Sequence, residues 1–154
     1  MSEALRVGVA GLGTVGASVV RILAQKADEL TRQCGRPIVV TAVSARDRTR
    51  DRGVDLAGAE WFADASEMAE KANIDVVVEL IGGENGPAMS CVKAGLKAGR
   101  HVVTANKALL ARHGLALAEM AEKKGVLLNY EAAVAGGIPV IKTMREALAA
   151  NTIS

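Results

Sequence analysis

A doubly wound α/β fold, a parallel sheet with helices on both faces, is predicted by three observations. Strand-like and helix-like stretches alternate along the whole chain with short connections, which is the pattern of repeated βα units joined by right-handed crossovers. The segment Ile74–Ile81 (IDVVVELI) is almost continuously apolar, as suits a strand buried on both faces of a parallel sheet. The first strand candidate runs directly into a glycine-rich turn and then an amphipathic stretch.

The elements follow in order. Leu5 to Ala10 reads as the first strand. Val15, Val19, Ile22, Leu23 and Leu30 recur at helical spacing, and Cys34-Gly35 closes that helix. Pro37 to Ala45 is β-branched and forms the second strand. An arginine-rich polar stretch leads to a weak strand at Trp61-Phe62 and a short helix from about Ser66 to Ala72. After the Ile74–Ile81 strand, Pro87 opens a helix that Gly99 follows. His101 to Thr104 is the next strand, Leu115 to Lys124 the next helix, and Val126 to Tyr130 the sixth strand. Pro139 opens a last helix to about Ala149. Residues 1–150 are expected to form one domain, with 151–154 beginning a linker to a further domain.

Composition narrows the functional classes. Trp61, Phe62 and Tyr130 are the only aromatic residues, so the core is built from Val, Leu, Ile and Ala, and stacking platforms for single-stranded nucleic acid are missing. A net charge of +2 is too small to favour nucleic acid or an anionic membrane as partner. No apolar run approaches the roughly 20 residues of a membrane span, and the first residues lack a signal-peptide pattern. Cys34 and Cys91 belong to no Cys/His grouping, which points away from zinc and disulfides and makes a reducing cytoplasm the default.

Gly11-Leu12-Gly13-Thr14-Val15-Gly16 is G-x-G-x-x-G between a strand and a helix, the dinucleotide fingerprint of a Rossmann-type fold. Gly11 permits the tight turn, Gly13 lets a pyrophosphate approach the backbone, and Gly16 lets the helix pack on the strand. The helix amino terminus offers free N–H groups to the phosphates. In a merely structural reading the same glycines serve only the turn.

At the end of the second strand, where an NAD site usually places an acid, the order is Ser44-Ala45-Arg46-Asp47. Arg46 suits a 2′-phosphate, with Arg48, Arg50 or Arg52 assisting, so NADP is expected ahead of NAD. The alternative is a solvated, charged loop.

Three further segments resemble homoserine dehydrogenase: Val78-Glu79-Leu80-Ile81-Gly82-Gly83, Val103-Thr104-Ala105-Asn106-Lys107-Ala108-Leu109, and Glu131-Ala132-Ala133-Val134-Ala135-Gly136-Gly137-Ile138-Pro139. That family interconverts aspartate 4-semialdehyde and homoserine in threonine, methionine and isoleucine biosynthesis. The resemblance implies that Ile81, Gly82 and Gly83 pass beside the nicotinamide, that Thr104 also contacts the cofactor, and that Lys107 is the active-site lysine near cofactor and substrate. It places Gly137 at the substrate. It also implies a monovalent-cation (sodium) site from Glu131 and the carbonyls of Val134, Gly136 and Ile138; the competing reading of Glu131 is a carboxylate at the positive end of the following helix. The full-length family member is expected to be a homo-oligomer, and a fragment without the substrate domain is expected to bind nucleotide and catalyse little.

Two competitors stay open. Oxidoreductases of the glucose–fructose type have an arrangement that Ala98-Gly99-Arg100-His101-Val102 to Lys107 partly matches. A non-enzymatic nucleotide-sensing module would keep the glycine fingerprint without needing Lys107.

Overall fold

The computed structural model describes residues 3–147. Six strands form one sheet: β1 (Leu5–Ala10), β2 (Ile38–Ser44), β3 (Glu60–Phe62), β4 (Val76–Glu79), β5 (His101–Thr104) and β6 (Leu128–Asn129). Their order is β3-β2-β1-β4-β5-β6, and every neighbouring pair is parallel. The order reverses between β1 and β4, and a doubly wound sheet binds its ligand beyond the carboxyl ends of the strands at such a point.

The core divides by strand parity. On one face Ala10, Ala42, Val77 and Val102 pack with residues of α3 (Ala65–Lys71), α4 (Pro87–Lys97) and α5 (Lys107–Lys124). On the other, Val7, Val9 and Val43 pack with Leu12 and with Val20 of α1 (Thr14–Gln25). Gly8 marks how closely the first face is packed: a methyl group there would lie 2.8 Å from Ile74 Cδ1. Helix ends follow local chemistry. Asp64 caps α3 by accepting the amides of Ser66 and Glu67, and Asn106 caps α5 by accepting that of Leu109.

Several expectations change. The helix expected to run to Cys34 breaks at Lys26 into α1 and α2 (Ala27–Cys34); α2 buries no residue, so no core contact keeps the two in line. The buried stripe of α1 is Gly16, Ala17 and Val20, while Val15 and Ile22 are exposed, because the close approach at Gly16 turns the small residues toward the sheet. Helix α5 begins eight residues before Leu115, which is itself exposed; the Asn106 cap starts it, and the polar Arg112-His113-Gly114 stretch masks its first two turns. β4 stops at Glu79 rather than Ile81, because the Ile81 and Gly82 amides turn onto the Glu79 carboxylate.

Pro139 is the N-cap of a short α7 (Val140–Lys142), which passes into a π-helical turn at Thr143–Ala147, and an unforeseen α6 (Glu131–Val134) precedes it. The expected continuation of the last helix to Ala149 and the linker at 151–154 lie outside the described residues. Among the described residues no helix is long and apolar enough to cross a membrane.

Candidate cofactor site

A groove of about 850 Å³ runs along the carboxyl edge of the sheet, lined at its centre by Gly11, Leu12 and Gly13, at one end by Arg46 and at the other by Ile81 and Gly82. A smaller recess of about 170 Å³ adjoins it, lined by Val15, Ile81, Gly82, Ala105 and Asn106 among others. Of the other expected cofactor contacts, Thr14, Gly16, Gly83, Thr104 and Lys107 line neither space.

The three glycines of the turn differ in why they are glycine. Gly11 has φ +94°, and a methyl group on it would meet the Leu80 carbonyl at 2.7 Å. A methyl group on Gly16 would stand 1.9 Å from the Gly11 carbonyl oxygen. Both are therefore required by the packing of β1, α1 and the turn after β4. Gly13 is not: its backbone is extended at φ −74°, and nothing lies within 4 Å of where its side chain would be. It is also the N-cap of the 12-residue α1, which has no side-chain cap and no acid in its first turn. The first amides of α1 are left for an anion.

At the β2 end, Arg46 is exposed on the groove wall. Asp47, the acid nearest the strand end, lines the groove beside it; its Oδ1 accepts the Thr49 hydroxyl and amide and the Arg50 amide, which hold its carboxyl below the usual range. Arg52 has a role the sequence did not suggest. Its Nε donates to the Leu12 carbonyl at 3.1 Å, its other nitrogens donate to the Arg50 and Asp47 carbonyls, and its guanidinium lies 5.5 Å from the Trp61 ring centroid. It ties the arginine loop to the glycine turn.

At the β4 end the unforeseen residue is Glu79, fully buried at the strand terminus. Its Oε1 accepts the amides of Ile81 at 2.7 Å and Gly82 at 3.2 Å, and its Oε2 accepts the Thr104 hydroxyl at 2.6 Å. The signal in the sequence is an acid after three valines, near the carboxyl end of an otherwise apolar strand, where a charge is seldom buried without partners. Thr104, expected at the cofactor, is itself fully buried and donates its hydroxyl to Glu79. Lys107 is exposed, is the first residue of α5 and enters no ion pair among the described residues. A cation at the positive end of a helix costs about 0.3–1 kcal/mol, so the fold gains nothing from a lysine there.

The turn after β6 has its own hydrogen-bond account. Glu131 accepts the amides of Ile141 at 2.9 Å and Lys142 at 3.0 Å, one on each oxygen, and the Ile138 carbonyl accepts the Val140 amide. Glu131 thus caps α7, and a hard cation would have to share oxygens already engaged. Gly137 lies exposed on this turn, with nothing within 4 Å of its side-chain position. Among the described residues no three His, Cys, Asp or Glu side chains come together as a metal site. Among the described residues no histidine or cysteine lines the groove or the recess. His101 accepts the Leu127 amide at the start of β5, Cys34 ends α2, and burial pushes the Cys91 thiol up to about 12.

Sheet order, glycine turn and groove together define a Rossmann-type dinucleotide-binding domain. The family model described as the homoserine dehydrogenase NAD binding domain matches residues 11–131. The chain belongs to that family. It is 47% identical over 150 residues to the homoserine dehydrogenase of Pseudomonas aeruginosa, covering 97% of this chain and 34% of that protein. Identity to the Neisseria gonorrhoeae enzyme is 42% over 149 residues, with 97% and 34% covered. The crystal structure of a homoserine dehydrogenase from Thiobacillus denitrificans superimposes with a TM-score of 0.86 at 42% identity, covering 97% of this chain and 34% of that one. The chain spans about a third of the length of these relatives.

Proposed function

We propose that the groove binds a nicotinamide dinucleotide, NADP in preference to NAD, and serves the interconversion of aspartate 4-semialdehyde and homoserine. The observation that carries the binding reading is Gly13. Its backbone conformation is open to any residue and its side-chain space is empty, so the fold does not demand glycine there. An approaching pyrophosphate does. Arg46 would hold the 2′-phosphate, with one oxygen of the neighbouring Asp47 engaged by its own loop, and Ile81 and Gly82 would border the nicotinamide ring.

Bound in the groove, the reduced nicotinamide supplies the hydride. Lys107, which follows the recess-lining Asn106, would hold its ammonium toward the substrate oxygen, where negative charge grows as the carbonyl is reduced. The reaction also needs a surface that presents the semialdehyde, which the longer relatives have the length to provide. For Glu131 we favour the capping role over a sodium site, because both of its oxygens already hold the α7 amides.

Gly13→Val tests the binding reading. The variant should fold as the parent does, by circular dichroism and thermal melting, and lose NADP binding in calorimetric titration by about a hundredfold or more, since the new side chain stands in the phosphate path. A folded variant of normal affinity would show that the groove does not hold a dinucleotide over this turn.

A further inference from the structure

The geometry points to Glu79, Thr104 and Asn106 as positioning residues that lock the Ile81–Gly83 loop to the start of α5; this rests on the dinucleotide reading of the groove. Thr104 Oγ1 accepts the Asn106 amide at 3.0 Å, which directs its own proton to Glu79 Oε2. Glu79 Oε1 holds the amides of Ile81 and Gly82. Asn106 closes the circuit: its Nδ2 donates to the Gly83 carbonyl at 2.7 Å, and its Oδ1 accepts the Leu109 amide at 3.1 Å in the first turn of the helix that begins with Lys107. One continuous chain of hydrogen bonds therefore fixes both ends of the loop and the base of the lysine-bearing helix.

A structural purpose alone accounts poorly for this arrangement. β4 is otherwise Val-Val-Val, and burying a carboxylate at its end carries a desolvation cost that only its complete set of donors offsets. Gly82 and Gly83 have φ of +82° and +85°, so the loop has little intrinsic preference for one shape. The buried chain confers that single shape. Glu79 and Thr104 are fully buried and reach no ligand themselves; they act through the loop and through Asn106, which borders the recess beside Ile81 and Gly82. The nicotinamide side of the groove and the start of α5 are thereby held as one body, the kind of support a hydride-transfer geometry requires.

The test compares two probes, NADP and 2′-phospho-ADP-ribose, which lacks the nicotinamide ring. Thr104→Val keeps the shape of the side chain and removes the link between Glu79 and Asn106. It should raise the Kd for NADP about tenfold and leave that for the ring-less probe within about twofold, with Thr104→Ser restoring the parent value. Amide hydrogen exchange should quicken at Ile81 and Gly82 and stay unchanged at Val9. Asn106→Asp gives the second arm, and carries the test if the first variant does not fold: it keeps the acceptor for Leu109 but cannot donate to Gly83, and should show the same split between probes. Equal losses for both probes, or none, would overturn the assignment. A parent chain that binds neither probe would instead remove the dinucleotide reading, and this one with it.

Discussion

At the glycine turn in the middle of the groove the backbone is held by contact: a methyl group on Gly16 would lie 1.9 Å from the Gly11 carbonyl oxygen, and one on Gly11 would press into Leu80. At the β4 end nothing lies within 4 Å of the Gly82 side-chain position, and the loop is held by a buried carboxylate, a hydroxyl and an amide. At Gly11 and Gly16 the first construction leaves no room for an added atom. The second tolerates added atoms but depends on every hydrogen-bond partner being present. One binding surface thus joins a part defined by shape to a part defined by polar bookkeeping.

The difference predicts the largest effect at Gly16. Gly16→Val sets branched carbon against backbone that cannot move without displacing β1, and should cost about 3–5 kcal/mol of stability in denaturant unfolding. A loss below about 1 kcal/mol would mean that the turn can relax, and the contrast between the two regions would fail. Gly82→Ala, at the same kind of residue but in open space, should cost far less, since only its positive φ penalises a side chain.

Next in size is the chemistry at the polar end. If Lys107 has the proposed role, Lys107→Ala in a full-length homoserine dehydrogenase carrying this domain should lower turnover by roughly 10²–10³ while cofactor affinity stays nearly intact, because the ammonium would matter most once charge has built on the substrate oxygen. Steady-state kinetics beside a cofactor titration would check it. Unimpaired turnover would make Lys107 an ordinary surface residue.

The same contrast explains what could be read in advance. Steric roles leave a fixed trace in residue types, so G-x-G-x-x-G was legible together with its place between β1 and α1, and the sheet's six strands followed from apolar runs that bury in a parallel sheet. The hydrogen-bonded roles left weaker traces. Glu79 looks like one stray charge in an apolar strand, and Thr104 like a polar strand end; only the fold brings them within 2.6 Å across 25 residues of sequence. In the sequence Arg52 looks the same as Arg48 and Arg50; only the fold ties it to Leu12. Helix α5 was read short because its start is a cap rather than an apolar stripe. After β6 the sequence shows a helix only from Pro139; that Glu131 caps it is hidden because Glu131 acts ten residues away, on Ile141.

Arg46 separates contact from charge within the proposed site. Arg46→Ala should weaken NADP binding by about ten- to a hundredfold, the loss of a charge-assisted contact, and leave NAD binding nearly unchanged. Arg52, tied into the glycine turn, serves as comparison: its loss should weaken both dinucleotides together. An Arg46→Ala variant with unchanged NADP preference would shift the 2′-phosphate contact to Arg48 or Arg50.

The smallest effect belongs to a polar cluster at the opposite edge of the sheet, which asks whether buried polar contacts in this fold always serve the groove. Arg6 donates to both oxygens of Asp75, at 2.7 and 3.1 Å, joining the start of β1 to the residue before β4, and the Arg6 guanidinium holds the Asp75 carboxyl down at about 2. A carboxylate depressed on folding adds stability above its unfolded pKa of about 3.9, and that contribution is lost as pH falls toward its folded value. The side chains are about a quarter exposed, so solvent screening trims the gain to about 1–2 kcal/mol. Asp75→Asn should therefore lower stability by that amount at pH 7, and the gap from the parent should close between about pH 4 and pH 2. Nucleotide affinity should not change, because this pair sits at the amino ends of the strands. A pH-independent gap would assign the loss to packing rather than charge, and a loss of affinity would show that the two edges of the sheet are coupled.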